Sequence, residues 1–439
     1  MSMPALAGVM IALMLALMVM RMPIALAMFI PGALGIGMIA GTDTLLAALK
    51  GTTMARLGVY ELSIIPLFLF MGQLAVRGGL SQTLFDAAAA LVGHLRGGLA
   101  LASLMACAVF GSICGSSVAT AATVTQVAYP EMRRRGYSGS IASATLATGG
   151  TLGILIPPSV PLVIYAVLAE QNITTLFLAA MIPALMALAG YMGVVALLAQ
   201  RHRGMPAMPR ASWAQRRATF QRVWPIVVIF AVMLGGLYSG AFTPTEAAAV
   251  GVGAVVIVTA ASGTLSRFML SAAVRATAET TALIFMIFMG ADLLNTALAL
   301  TQLPGELAQW VSHLPLGPLA ILVAILVLYL LLSSVMDELS MIILTIPVIF
   351  PVITGLDLWR LLPQEKAIWF GILVLMVVQF GLIAPPIGLN VIIVNGLVRD
   401  VPIAATYRGI LPFLLTDALR IVVLVIFPGC TLALIPLMR

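Results

Sequence analysis

The sequence predicts an all-α membrane protein made of two inverted repeats, each carrying a re-entrant hairpin and a helix broken part-way through the bilayer. Three observations predict it. The 439 residues are 62% hydrophobic and 8% charged, with a mean hydropathy of +1.16, a composition foreign to water-soluble globules. The apolar runs are continuous over about 17 to 25 residues, as spanning helices require, whereas barrel strands would alternate in segments of about ten. Within these runs, two glycine- and proline-broken stretches stand in corresponding places, GGTLGILIPPS at 149–159 and FGLIAPPIGLN at 380–390.

The chain opens on a helix over 4–20. It reads as a retained span, because it is long enough to cross and lacks the basic n-region of a signal peptide. Helices over 23–40 and 62–76 follow. Residues 80–95, interrupted by Asp86 and His94, are more amphipathic and read as lying along the interface. Two apolar arms, 99–110 and 118–129, flank the polar tip GSICGSS at 111–117. Each arm is too short to span, so together they read as a hairpin whose tip protein must bury. The helix over 140–168 carries the first break, and 176–198 is a full span. Pro157 and Pro158 dictate that break: they remove two helix donors and push Ile156 out of the α region. In hydrocarbon an unpaired peptide group costs several kcal/mol, so a span is interrupted only where protein, water or ions satisfy the freed groups. Residues 201–222 carry six arginines and no acid and read as a basic cytoplasmic loop.

After that loop the pattern starts again. RMPIALAMF at Pro23 matches FTPTEAAAV at Pro244, and the arm ending at Pro130 matches the one ending at Pro351, both 221 residues on. Glu61 with 70–72 matches Glu279 with 288–290, 218 on; Pro157-Pro158 matches Pro385-Pro386, 228 on; Pro183 matches Pro412, 229 on. Five landmarks in one order indicate an internal duplication. Each half then crosses five times, and an odd number inverts the second half. The arginines at 133–135 and the loop 201–222 fall together on the cytoplasmic side if the N-terminus is periplasmic. Hairpin 1 then enters from the cytoplasm. Hairpin 2, with tip SSVMDELS at 333–340, enters from the other face, and Arg360 and Lys366 stand outside against the rule.

Inverted repeats with broken helices meeting at the midplane are the architecture of secondary transporters. Half-helix N-termini attract anions, while unwound carbonyls and half-helix C-termini attract cations. Ser112, Ser116 and Ser117 on the first tip suit helix capping and can also offer oxygen to Na⁺. Gly153, Ile156 and Pro158 would present carbonyls at the first break, and Gly381, Ala384 and Pro386 at the second. Ser116, Ser117, Thr151, Ser159 and Asn390 are the candidates for substrate contact. Asp337 is the costliest intramembrane charge and therefore a candidate for the sodium site, with an N-cap as its plain structural role. Asp417 and Arg420, three apart on one helix, read as neutralising each other. Glu61 and Glu279, at helix starts, read as structural.

Other classes find little support. The net charge of +7 sits in short loops with no aromatic-lined basic face, so nucleic acid is not an expected partner. Three cysteines and three histidines are scattered without metal-ligand spacing. With neither a P-loop lysine motif nor a histidine-based triad, the chain reads as no enzyme, powered by an ion gradient rather than directly by ATP.

The motifs FGSICGSSVATAATV, GTLGILIPPSVPLVIYA, LFLAAMIPAL, ELSIIPLFLFMG and APPIGLNV resemble the large membrane subunit of TRAP transporters, the tripartite ATP-independent periplasmic systems. That resemblance runs over nearly the whole chain. It implies an elevator in the bacterial inner membrane, with scaffold segments 1–96 and 223–316 and transport-domain halves 97–200 and 317–439. It implies Na⁺-coupled uptake of a small organic anion such as a carboxylate, dicarboxylate or sugar acid. The anion is delivered by a periplasmic substrate-binding protein, and a separate small four-helix subunit accompanies the chain. The sodium ligands it implies are the tip 1 serines with Gly153, Ile156 and Pro158, and tip 2 with Gly381, Ala384 and Pro386. Tip 2 departs from the family pattern in lacking glycine. A stand-alone ion-coupled anion transporter or antiporter of related fold, and a channel or structural membrane component, remain the competing readings.

Overall fold

The computed structural model describes residues 2–201, 204–313 and 315–438. Among these residues it is helical throughout, and nine helices are long and apolar enough to cross a membrane. Large apolar side chains such as Val19, Met54, Ile257 and Leu415 are exposed on its flanks, the distribution of a protein whose surroundings are hydrocarbon. The chain is a multi-pass membrane protein.

The first half begins with α1 (Met3–Val19) and α2 (Ile24–Leu57). The second of these runs beyond the expected helix over 23–40. It breaks at Gly41 (φ 87°, ψ 170°), a conformation only glycine adopts freely, and resumes to Leu57. A 3-10 turn (Tyr60–Ser63) leads into α3 (Ile64–Arg77), then α4 (Leu80–Val92), α5 (Gly98–Cys114) and α6 (Ser117–Arg134). The arms α5 and α6 are longer than expected, and the connection between them is only Gly115 and Ser116. Nearly every residue of α5 is buried, so its last turn is packed by protein. The broken helix is α7 (Gly139–Gly150), a 3-10 turn (Thr151–Ile154) and α8 (Val160–Leu168), followed by α9 (Ile173–Arg201).

The expected loop 201–222 is shorter than its arginine content implied; Arg203 and His202 lie outside the described residues. A capping box starts α10 (Trp213–Tyr238): the Ser212 Oγ accepts the Gln215 N–H while the Gln215 side chain accepts the Ser212 N–H. Arg216, Arg217 and Arg222 therefore ride on a helix. The remaining loop docks on the first half, with Tyr137 Oη donating to the Pro206 carbonyl and Gly97 N–H to that of Met205.

The second half repeats the first: α11 (Pro244–Ala261), α12 (Arg267–Leu300), α13 (Leu303–His313), α14 (Pro318–Ser333), α15 (Glu338–Gly355), α16 (Pro363–Gly381), α17 (Leu389–Leu397) and α18 (Ile403–Ile426). One unbroken helix, α12, here does the work of the arm of α2 together with α3. Two sets of packing contacts stand out. In one, α2 packs along α12 and α3 against α11; in the other, α7 packs on α18, α17 on α6 and α7, and α15 on α8, and the contacts of α3 with α5 and α12 with α15 join them. Lys366, which the sequence reading placed outside against the charge rule, is buried and donates to the carbonyls of Thr354 and Leu356 at 2.7 Å each, satisfying the open end of α15.

Candidate functional site

The α5–α6 tip turns at Gly115, whose φ is +61°. Ser116 caps α6, its Oγ accepting the Ala119 N–H at 3.4 Å. The tip rests on the first break through glycine against glycine. A methyl on Gly111 would meet Gly153 Cα at 2.6 Å, and one on Gly153 would meet the Ser116 carbonyl oxygen at 3.0 Å. The two backbones approach this closely because neither position carries a side chain. Ser159 closes the break, accepting the Leu162 N–H as cap of α8 and donating to the Ile154 carbonyl.

The α14–α15 tip repeats the arrangement. Ser333 takes the place of Gly111, 222 residues on, and a methyl on Gly381 would meet Ser333 Cβ at 2.6 Å and its backbone carbon at 2.8 Å. Asp337 takes the place of Ser116, 221 residues on, and caps α15 by accepting the Ser340 N–H at 3.1 Å. Both proline pairs, Pro157-Pro158 and Pro385-Pro386, are joined by cis bonds. Among the described residues no hydrogen bond reaches the carbonyls of Ile156, Pro158, Ala384 or Pro386, whereas that of Gly381 accepts the Ala384 N–H at 3.2 Å.

The two sites touch. Ser117 Oγ donates to Asn390 Oδ1 at 3.4 Å, the Asn390 amide donates to the Ala147 carbonyl at 3.3 Å, and its backbone N–H to that of Leu382. One asparagine thus joins tip 1, the first broken helix and the second break. The Glu338 carboxylate, buried on tip 2, faces the Ser117 hydroxyl.

Behind the breaks lies a buried polar network. Arg420 pairs with Asp417 at 2.8 Å and donates to Gln379 Oε1 at 2.8 Å; Tyr191 Oη donates to Asp417 at 2.8 Å; and the Gln379 amide donates to Thr151 Oγ1 at 3.0 Å and Tyr191 Oη at 3.1 Å. Thr151 opens the first break and Gln379 precedes the second, so the network ties both broken helices to α9 and α18. The sequence marked Asp417 and Arg420 as mutual neutralisers and they are. Thr151, proposed for substrate, spends its hydroxyl on this network and on the Thr148 carbonyl.

Of the other candidates, Ser112 lies inside α5 and donates to the Val109 carbonyl at 2.8 Å. Ser116, Ser117, Gly153, Ile156, Pro158 and Ser159 lie at tip 1 and its break; Asp337, Gly381, Ala384, Pro386 and Asn390 lie at tip 2 and its break. Glu61 is exposed, and Glu279 pairs with Arg275 on an exposed face of α12. Sequence reasoning missed Glu338, Gln379 and Tyr191. Gln379 carried a readable signal, a polar residue in an apolar run just before the break.

At the base of the first pair, Tyr129 Oη donates to Asp400 at 2.6 Å and Arg133 Nε at 3.0 Å. The Tyr129 hydrogen bond, with Arg133 beside it, holds the Asp400 carboxyl below the usual carboxylate range.

Fold and site together define a polytopic membrane protein whose two halves present a helix tip to a broken helix. Comparison with known proteins agrees. The model of the tripartite ATP-independent periplasmic transporter, DctM component, matches residues 11–430. The C4-dicarboxylate TRAP transporter large permease protein DctM of Pseudomonas aeruginosa is 35% identical over 378 residues, 85% of this chain and 86% of that one. The sialic acid TRAP transporter large permease protein SiaM of Vibrio cholerae is 31% identical over 376 residues, again 85% and 86%. The solved structure of the Alcanivorax borkumensis YdaH transporter shares the fold, with a TM-score of 0.58 at 15% identity over 89% of each chain. The chain belongs to the DctM component family of tripartite ATP-independent periplasmic transporters, as its motifs implied, and its relatives are permeases rather than enzymes.

Proposed function

We propose that the chain is the large subunit of a sodium-coupled uptake system for a small organic anion in the bacterial inner membrane. A periplasmic binding protein delivers the anion and a small four-helix subunit completes the membrane complex. One observation carries the reading. At each break, beside a glycine against which the tip is seated, carbonyl oxygens stand without donors in a setting where hydrocarbon would make them costly. Na⁺ and the anion compensate them: sodium at the carbonyls, and the carboxylate at the half-helix N-termini capped by Ser116 and Ser159. The relatives named for C4-dicarboxylates and sialic acid support a carboxylate, and with most selectivity in the binding protein the tips need only hydroxyls and backbone.

Movement follows from treating these two sets of helices as separate bodies. The base of the first hairpin contacts the 400 region beyond α17, while the base of the second contacts the start of α16. With α16 and α17 as one crossing, the hairpins are re-entrant from opposite faces and the N-terminus is periplasmic. The body of hairpins and broken helices then slides as an elevator against α1–α3 and α10–α12.

The test is reconstitution with the two partner proteins in vesicles. Uptake should require an inward Na⁺ gradient, and Gly153→Leu should abolish it in inserted protein. Undiminished uptake with K⁺ in place of Na⁺ overturns the coupling. Uptake by this chain alone favours a stand-alone transporter, and unsaturable flux a channel.

A further inference from the structure

We infer that Glu338 completes a site for a cationic group between the two tips, one that the break carbonyls do not explain. The inference rests on the transport reading above and adds a residue to it. Glu338 is 7% exposed, and its Oε2 has no hydrogen-bond partner. It sits beside Asp337, and among the described residues neither carboxylate forms an ion pair. A buried carboxylate beside a half-buried one, with no counter-ion, is unfavourable, and the N-terminus of α15 offsets only part of that. The other oxygens come from different elements: the Ser117 hydroxyl on tip 1 faces Glu338, and Asn390 Oδ1 lies 3.4 Å from Ser117 Oγ. A carboxylate, a hydroxyl and an amide oxygen form a hard-oxygen set that suits Na⁺ or a primary ammonium group. The occupant is therefore a free sodium ion or the ammonium end of a zwitterionic substrate. Either would bridge the two halves, because the donors belong to both.

The experiment measures thermal stabilisation of the purified full-length chain by NaCl and by methylammonium chloride, each against choline chloride at equal ionic strength. We expect the wild type to respond to at least one, and Glu338→Gln to need about tenfold more of that cation for half its effect. Glu338→Asp, which keeps the charge, should fall between them. Ser117→Ala should shift the response in the same direction by about threefold, which covers the case of a Glu338→Gln protein that fails to fold. A sodium response lost in Glu338→Gln identifies an ion site, and a methylammonium response lost identifies a substrate ammonium. Unchanged half-effect concentrations in Glu338→Gln and Ser117→Ala overturn the proposal while leaving sodium coupling at the breaks intact. A wild type that answers neither cation overturns the proposal, and vesicle uptake decides the transport reading separately.

Discussion

The two tip-and-break pairs share a seat and differ in chemistry. At the first, Gly111 meets Gly153 and the cap is the neutral Ser116; at the second, Ser333 meets Gly381 and the cap is Asp337, followed by Glu338. The prolines of the first break are buried and those of the second exposed. Both pairs keep a glycine on the broken helix where the tip is seated, while the tip residue and the charge differ. The first pair is an enclosed neutral site, and the second an acidic one that faces it through Ser117 and Asn390.

That comparison can be broken in four ways. The largest effect belongs to the element both halves share. Asp417→Ala or Arg420→Ala strands a buried charge and should cost about 3 to 5 kcal/mol, read as a loss of thermal stability. Removing both should cost less than the sum of the two, since the pair couples. Next come the seats. Gly111→Ala and Gly381→Ala each drive a methyl into backbone and should cost about 1 to 3 kcal/mol with loss of uptake. Similar losses keep the shared geometry, and a tolerated alanine on either side refutes it there. The caps follow: Ser116→Ala and Asp337→Ala should each cost about 0.5 to 2 kcal/mol, with only the second altering sodium dependence of uptake. Equal sodium dependence in the two would erase the chemical distinction between the pairs.

The smallest effect concerns the hairpin bases. Arg133 and Asp400 are both about half exposed, so Arg133→Ala should cost about 0 to 1 kcal/mol after screening. Because the folded Asp400 carboxyl titrates below its ordinary value, its contribution is complete above about pH 4 and is lost as the pH falls through the folded value. The acid-side fall in stability should be shallower in Tyr129→Phe, which a pH series of melting temperatures checks.

The class of fold was legible because hydrocarbon leaves so few options: continuous apolar runs announce helices, and Pro157 and Pro385 announce where they stop. The first tip was drawn too wide: the connection between α5 and α6 is only Gly115 and Ser116. Ser112 and the glycines around it look like turn residues, yet α5 continues to Cys114 because surrounding protein, not polarity, supports its last turn. Length and composition make α15 and α16 long and apolar enough to cross a membrane, where the sequence reading made one a hairpin arm and the other half of a broken helix. The polar network was half legible. Asp417 and Arg420 declared themselves by spacing, whereas Tyr191 and Gln379 reach them only through tertiary packing that no local pattern encodes.

The two halves also differ in how they carry their arms. At about 1.5 Å per residue, the 34 residues of α12 extend about 50 Å, well beyond the roughly 30 Å of a hydrocarbon layer. An uninterrupted rod of that length transmits a tilt along its whole extent. Its counterpart α2 is interrupted at Gly41, and its outer arm is tied to α12 by the ion pair of Arg56 with Asp292. The straight helix of the second half thus braces the interrupted helix of the first through a guanidinium–carboxylate pair.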